Sequence, residues 1–206
     1  MLEIQDILEV EKYIDDVDAV VFDLDDTLYS EKEYVRSGYH QIAVAFQIPD
    51  MEEEMWSVFE DGGKAIDEVL EKHNLLERKQ EALQIYRFQE PNISLYPGVF
   101  EMLTRIANKK KVGIITDGRP EGQHAKIRAL NLKTIIPAII ATDELGGIEY
   151  RKPNPEAFVK MSEMLEVPLE RMVYIGDNIK KDFVAPEHLG MKAVYFRNVE
   201  GLYYER

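Results

Sequence analysis

Five short runs of apolar residues recur along the chain without the alternation of polar and apolar positions that a half-buried strand shows. Continuous runs of this kind are typical of strands that are buried on both faces of a parallel sheet. They are AVVF (19–22), VGII (112–115), PAIIA (137–141), MVYI (172–175) and AVYF (193–196). Helical patterns separate the last four runs, and strands alternating with helices predict a doubly wound, Rossmann-like α/β sheet.

The interval between the first two runs is much longer than a crossover between parallel strands requires. Its sequence reads mainly as helix over 31–46, 51–75 and 77–88, and a further helix over 98–110 leads into the second run. We therefore predict an all-helical insert over residues 30–92, which caps a catalytic core made of residues 1–29 and 93–206. Because the insert begins directly after a cluster of aspartates, we expect it to lie over that cluster as a lid that selects the substrate. The candidate lid residues are Tyr34, Gly62, Gly63 and Arg87.

Composition limits the possible functions. The 206 residues contain no cysteine, which excludes disulfides and thiolate metal sites, and 45% are hydrophobic, which suffices for a sizeable core. The formal net charge of −14 argues against nucleic-acid binding. The acidic N-terminus does not resemble a signal peptide, and no apolar run has the length of a membrane span, so we expect a cytoplasmic protein without membrane contact.

Polar residues follow the predicted strands at the points where each strand ends. They are Asp23, Thr116, Thr142 with Asp143, Asp177 and Arg197. The carboxyl ends of parallel strands form the ligand-binding edge of such sheets, so these side chains are expected to meet there. Three aspartates crowded into VVFDLDDTLY (20–29) would repel one another, and a Mg²⁺ ion held by hard oxygen ligands would offset that repulsion.

Four short motifs occur in order at these strand ends. They are DLDDT (23–27), IITDG (114–118), RKPNP (151–155) and IGDNIKKD (175–182). Each motif alone has a common structural explanation as a turn or a helix cap, but the ordered set resembles the haloacid dehalogenase superfamily of phosphotransferases with a helical cap. The resemblance extends over the core from about residue 18 to residue 196.

The resemblance implies a role for each matched residue. Asp23 would be the nucleophile that forms an aspartyl-phosphate, and Asp25 would be the general acid and base. Thr116 and Lys152 would hold the phosphoryl oxygens. Mg²⁺ would be held by Asp23, the backbone carbonyl of Asp25, and Asp177.

Several neighbouring residues have supporting or less certain roles. Thr27 completes the first motif, and Asp182 would orient the lysine or a metal-bound water. Asp117, Gly118 and Arg119 follow Thr116 and are assigned to the substrate, since backbone N–H groups beside the helix that begins at Pro120 can assist an anion. A solvent-facing Arg119 is the alternative. Asp26 has no role in the resemblance and is interpreted as a turn or solvated residue.

The leading functional prediction is a Mg²⁺-dependent phosphatase that acts on a small phosphomonoester, such as a sugar, polyol or nucleotide phosphate. A phosphosugar mutase would use the same motifs, but mutases of the superfamily more often carry glycine where this chain has Thr27. A dehalogenase needs no metal and would leave Asp25 unexplained. A non-catalytic binding protein on the same fold is a further alternative, which an assay with a generic phosphate ester and Mg²⁺ decides.

Overall fold

A computed structural model describes residues 1–202 and 204 of the chain. Its centre is a six-stranded sheet in which every neighbouring pair of strands is parallel. The strands are β1 (Leu2–Ile4), β2 (Ala19–Phe22), β3 (Lys111–Thr116), β4 (Ala138–Ala141), β5 (Met172–Gly176) and β6 (Lys192–Phe196), in the spatial order β1-β6-β5-β2-β3-β4. The predicted doubly wound parallel sheet is confirmed, and five of these strands match the predicted apolar runs, except that Pro137 precedes β4.

Strand β1 was not predicted. It is three residues long, and only Ile4 of the three is buried, so it has no apolar run. It pairs with β6 at the edge of the sheet, where Leu2 lies opposite Val194. An edge strand this short is recognisable only from the strand that it joins.

Within residues 1–202, eight α-helices accompany the sheet. They are α1 (Glu31–Phe46), α2 (Met51–Glu60), α3 (Ala65–Lys72), α4 (Lys79–Arg87), α5 (Val99–Ala107), α6 (Pro120–Ala129), α7 (Glu156–Leu165) and α8 (Val184–His188). The predicted helix over 51–75 is in fact two helices, because Gly62, with φ of 79°, ends the first in a turn. The helices from α1 to α4 all lie between β2 and β3 in the chain, as the length of that interval predicts.

The apolar residues form three clusters. Alternate residues of the strands project to opposite faces of the sheet, so Val20 and Phe22 pack with α5 and α6 on one face, and Val21 packs with α7 on the other. The third cluster lies within the helical insert and includes Ile42, Met55 and Leu70, each fully buried. The insert therefore has an apolar cluster of its own, while Tyr34 of α1 belongs to the cluster that packs on the sheet.

Asp26 ties the insert and the C-terminal segment to the end of β2. Its carboxylate accepts hydrogen bonds from the backbone N–H of Glu31 at 2.8 Å, at the start of α1, and from the N–H of Leu202 at 2.7 Å. Asn198 donates to its backbone carbonyl at 2.7 Å. Of the two interpretations of Asp26, the turn is confirmed by its φ of 51°, and the solvated residue is wrong because its side chain is buried.

We expect Asp26→Ala to lower the free energy of unfolding by about 2–3 kcal/mol, because two backbone donors lose their acceptor. Asp26→Asn keeps one acceptor oxygen and tolerates the positive φ, so its effect should be about half as large. Urea unfolding followed by circular dichroism measures both, with Asp15→Ala, an exposed aspartate, as the control. Equal stability of Asp26→Ala and the control would show that these hydrogen bonds contribute nothing net.

Candidate active site

The three central strands bring the first, second and fourth motifs together. Strand β2 lies between β3 and β5, with Phe22 opposite Ile114 on one side and Ile175 on the other. Asp23 therefore emerges next to the ends of both neighbouring strands, where Thr116 and Asp177 are placed. This is the crevice at which the order of the strands reverses, the usual ligand site of an open α/β sheet.

Lys152 provides the positive charge at the bottom of this crevice. Its Nζ lies 2.9 Å from Asp23 Oδ1, 2.8 Å from Asp182 Oδ1 and 2.8 Å from the hydroxyl of Tyr174. Burial opposes the charged form of Lys152, but the carboxylates of Asp182 and Asp23 outweigh it and raise its pKa well above the usual value. The lysine is therefore a buried cation that holds two carboxylates in fixed positions.

The carboxylates of Asp23, Asp177 and Asp182 form a compact group, with one oxygen from each lying within 4.8 Å of the others. Burial raises the pKa of Asp23 to about 7 in spite of Lys152. Burial and the neighbouring charges of Asp23 and Asp182 raise the pKa of Asp177 to about 9. Carboxylate oxygens at this spacing suit a hard divalent cation, which would favour the ionised form of both acids.

Within this group, Asp182 has a contact at each oxygen, although the one at Oδ1 is an ion contact without a hydrogen bond. Oδ1 contacts Lys152, and Oδ2 accepts a hydrogen bond from the backbone N–H of Asn178 at 2.9 Å. A Cβ atom at Gly176 would overlap the Asp182 carboxylate, which explains why glycine precedes Asp177. Asp23 and Asp177 therefore have the oxygens that a cation could take, while Asp182 orients the lysine.

Asp25 points away from the other aspartates and towards helix α6. Lys126 Nζ lies 2.7 and 2.9 Å from its two carboxylate oxygens, and the hydroxyl of Tyr29 also donates to it. Burial opposes the charge of Lys126, but Asp25 and Glu31 raise its pKa above the usual value. The ammonium in turn packs against the ring of Tyr34 in α1, 4.3 Å from its centroid. The side chain of Asp25 is thus held by donors from two different segments.

A cavity of about 280 Å³ opens onto these groups. Its charged lining consists of Asp23, Asp25, Glu31, Asp117, Asp177, Arg151 and Lys181. The two cations are each paired with a carboxylate, since Lys181 Nζ lies 3.0 Å from Asp117 Oδ2 and Arg151 contacts Asp143 at 2.7 Å. Burial opposes ionisation of Asp117, but Lys152 and Lys181 outweigh it and lower its pKa below the usual value. An acidic protein thus places two cations in the lining of this cavity.

Thr116 lies behind this cavity and does not line it. The residue is fully buried, and its hydroxyl donates to Gln123 Oε1 at 3.1 Å. Gln123 donates in turn to the backbone carbonyl of Asp117 at 2.9 Å. A side chain at Gly118, which has φ of 137°, would collide with Gln123. The glycine therefore allows the loop after β3 to pass close to α6.

The residues that were predicted to meet at the strand ends do not all line the cavity. Asp23, Asp25, Asp117, Gly118 and Asp177 line the cavity. Behind them, Thr27 donates to Asp177 Oδ1 at 3.5 Å, and Thr142 donates to Asp117 Oδ1 at 3.0 Å. Arg197 instead lies at the edge of the sheet, 3.4 Å from Glu3, and takes no part in the site.

The four candidate lid residues also lie in two different places. Tyr34 and Arg87, together with Arg119, line a second cavity next to the first. Gly62 and Gly63 form the turn between α2 and α3 and line neither cavity.

Sequence analysis missed Gln123, Lys126, Glu31 and Lys181. Gln123 and Lys126 are three residues apart on α6, so they share one face of the helix, and that spacing was a usable signal. Lys181 lies one residue before Asp182 in the fourth motif. The position of Glu31 depends on the direction in which the insert leaves β2, which no local pattern reveals.

Comparison with known proteins agrees with this geometry. A family model described as haloacid dehalogenase-like hydrolase matches residues 20–196, which include all four motifs. The chain belongs to this family.

Two curated relatives of this hydrolase family have similar sequences over most of their length. A glyceraldehyde 3-phosphate phosphatase from Methanocaldococcus jannaschii is 30% identical over 207 residues, covering 91% of this chain and 87% of the relative. A glyceraldehyde 3-phosphate phosphatase from Methanopyrus kandleri is 26% identical, covering 88% and 84%. A solved haloacid dehalogenase-superfamily hydrolase from Geobacter sulfurreducens has a TM-score of 0.68 at 17% identity, covering 87% of this chain and 86% of that one, and it shares the fold.

We expect Asp177→Asn to stabilise this hydrolase when the protein is kept in chelator at pH 8. The folded-state pKa of Asp177, about 9, lies above the usual aspartate value of 3.8, so ionisation of this group destabilises the fold as pH rises from about 4 to 9. The amide avoids that loss. We expect a gain of about 1–2 kcal/mol, after allowing for solvent screening at a partly exposed site, or about 2–8 °C in Tm.

Thermal unfolding at pH 8 and pH 5 tests this, since the difference between Asp177→Asn and wild type should shrink at the lower pH. Asp15→Asn is the control for loss of an exposed carboxylate. An Asp177→Asn protein that is less stable than wild type at pH 8 in chelator would contradict the expected repulsion.

Proposed function

We propose that this hydrolase is a Mg²⁺-dependent phosphatase that cleaves small phosphomonoesters through an aspartyl-phosphate on Asp23. The observation that carries the proposal is the position of Asp23, whose carboxylate is fixed by Lys152 at the bottom of the cavity and lies beside Asp177. The similarity to curated phosphatases over most of the chain supports the same reaction class.

In the first step, a carboxylate oxygen of Asp23 attacks phosphorus and the ester oxygen leaves. Lys152 contacts Oδ1 of Asp23 at 2.9 Å, which fixes the carboxylate for attack. Arg151 and Lys181 line the cavity and are available to the phosphoryl oxygens. Since the hydroxyl of Thr116 donates to Gln123, we assign Thr116 the role of positioning Gln123 and the loop after β3.

Asp25 is the proposed proton carrier. The leaving oxygen takes a proton from Asp25, and Asp25 then takes a proton from the water that hydrolyses the aspartyl-phosphate. The proton that Asp25 takes from this water returns it to the acid form, and Lys126 and the Tyr29 hydroxyl, both hydrogen-bonded to Asp25, hold its side chain in place.

The carboxylates of Asp23 and Asp177 fit a Mg²⁺ ion as side-chain ligands, and we propose the backbone carbonyl of Asp25, which the resemblance implies, as a third. When bound, Mg²⁺ supplies positive charge that offsets the repulsion between the Asp23 carboxylate and the phosphoryl oxygens.

We propose that residues 30–92 form a cap over a core made of residues 1–29 and 93–206. The separate apolar cluster of the insert and its place between β2 and β3 support this division. Tyr34 and Arg87 belong to the cap, whereas Arg119 and Gln123 belong to the core, and all four line the second cavity. Cap and core therefore share the space around the leaving group, where substrate selection would occur.

A phosphosugar mutase is the alternative function, because it uses the same aspartyl-phosphate intermediate. It requires that the aspartyl-phosphate be transferred to the substrate, whereas hydrolysis requires water to reach it. Release of inorganic phosphate from several unrelated esters in Mg²⁺ supports the phosphatase, and conversion of one sugar phosphate to its isomer without phosphate release supports the mutase.

We expect Asp23→Asn to lower kcat by about 10³-fold or more, because an amide cannot form the aspartyl-phosphate. Circular dichroism should show an unchanged fold, and mass spectrometry excludes deamidation back to aspartate. Asp15→Asn is the matched control and should retain the wild-type rate. An Asp23→Asn protein with a substantial fraction of wild-type activity would remove Asp23 from the nucleophile's role.

We expect Mg²⁺ at about 100 times its Kd to stabilise the wild-type protein by about 2.7 kcal/mol, which corresponds to about 5–10 °C in Tm. Asp177→Asn should lose most of this shift, since it removes one of the proposed ligands. Differential scanning calorimetry with and without Mg²⁺ measures the effect, with Asp15→Asn again as control. Full activity in excess chelator, or an equal Mg²⁺ shift in Asp177→Asn, would contradict the metal assignment.

A further inference from the structure

The second cavity lies between cap helices α1 and α4 and core helix α6, and its volume is about 510 Å³. Its lining combines aromatic and cationic side chains, with Glu121 as the acidic member. The residues are Tyr34, Gln84, Tyr86, Arg87, Phe88, Arg119, Glu121, Gly122, Gln123 and Lys126.

Two arginines of this cavity differ from the other arginines of residues 1–202. Arg87 and Arg119 form no ion pair with any carboxylate that the structure describes. Each of the others lies within 4.0 Å of a carboxylate, namely Arg36, Arg78, Arg105, Arg128, Arg151, Arg171 and Arg197. Carboxylates are abundant in a chain of net charge −14. Two guanidinium groups that lack a carboxylate partner in the same cavity therefore indicate a binding site for an external anion.

The two arginines come from opposite sides of the cavity. Arg87 is the last residue of α4 in the proposed cap, and Arg119 directly precedes α6 in the core. Lys126 adds a third cation to the lining, but its charge is already matched by Asp25 at 2.7 Å. An anion in this cavity would therefore meet Arg87 and Arg119, with Glu121 as the one opposing charge.

The second cavity adjoins the catalytic one through two side chains. Gln123 lines both cavities. Lys126 lines the second cavity and contacts Asp25, which lines the first. A substrate whose phosphoryl group lies at Asp23 would therefore extend past Asp25 towards the two arginines.

We propose that the preferred substrate carries a second anionic group, a carboxylate or a second phosphate, on its leaving portion, and that Arg87 and Arg119 bind it. This inference rests on the proposed phosphatase function and specifies its substrate class. Tyr34, Tyr86 and Phe88 cover the intervening carbon skeleton. Because the second anion is far from the reacting phosphorus, it contributes to binding in the ground state and the transition state alike.

The test compares esters that differ in one acidic group. 3-Phosphoglycerate and glycerol 3-phosphate form the carboxylate pair, and fructose 1,6-bisphosphate and fructose 6-phosphate form the phosphate pair. Steady-state kinetics in Mg²⁺ are measured for wild type, Arg87→Gln, Arg119→Gln and Arg128→Gln. The last is the matched control, because Arg128 lies on α6, is exposed, pairs with Glu90 and is not part of this lining.

In at least one pair, wild type should prefer the acidic member by about tenfold or more in kcat/KM. Arg87→Gln and Arg119→Gln should each reduce that preference by about tenfold, mainly through KM, since a hydrogen-bonded ion pair contributes binding of this order. Arg128→Gln should retain it. The pair that shows the preference identifies the second anion as a carboxylate or a phosphate.

If wild type shows no preference for the acidic member in either pair, the inference is overturned but the proposed phosphatase function is not. The same holds if a preference exists and neither arginine substitution changes it. If wild type hydrolyses none of the four esters, the proposed function fails, and calorimetric titration of each ester into Asp23→Asn then decides the inference. Tighter binding of the acidic members that is lost with Arg87→Gln supports an anion site. Equal binding, or none, overturns it.

Discussion

The contact of the Lys152 ammonium with Asp23 and Asp182 is the constraint on which the rest of the site depends. Asp23 and Asp182 are both buried, and burial opposes the ionised form of Asp23. Lys152 offsets part of that effect and fixes the position of Asp23 at the end of β2. The aspartate is thereby kept ionisable in a buried crevice, which is the condition that a carboxylate nucleophile requires.

This arrangement depends on elements that are far apart in the sequence. Asp182 accepts a hydrogen bond from the backbone N–H of Asn178, and its carboxylate occupies the space that a side chain at Gly176 would fill. The backbone N–H of Lys152 donates to Asp117 at 3.0 Å. Asp117 in turn contacts Lys181 and Thr142. The loops after β2, β3, β4 and β5 are therefore joined by one hydrogen-bonded network, and the site forms only when the parallel sheet is complete.

The sequence was most informative where chemistry follows a buried strand. Runs such as AVVF and MVYI are unambiguous because both faces of the sheet are covered, and Asp23 and Asp177 then follow from their position at the strand ends. The sequence did not predict side-chain contacts that depend on tertiary packing. Thr116 donates a hydrogen bond to Gln123, buried Asp26 accepts one from the backbone of Leu202, and Lys126 of α6 pairs with Asp25. Local periodicity contains no signal for any of these contacts.

The direct measurement of the central claim is chemical trapping of the intermediate on Asp23. The protein is mixed with Mg²⁺ and a phosphate ester that it hydrolyses, quenched with acid within one turnover, and reduced with borohydride, which converts an aspartyl-phosphate to homoserine. The account predicts homoserine at position 23 in peptide mass spectrometry, dependent on the ester. Phosphate release during the same turnover with aspartate unchanged at position 23, or with the label on another residue, would contradict it.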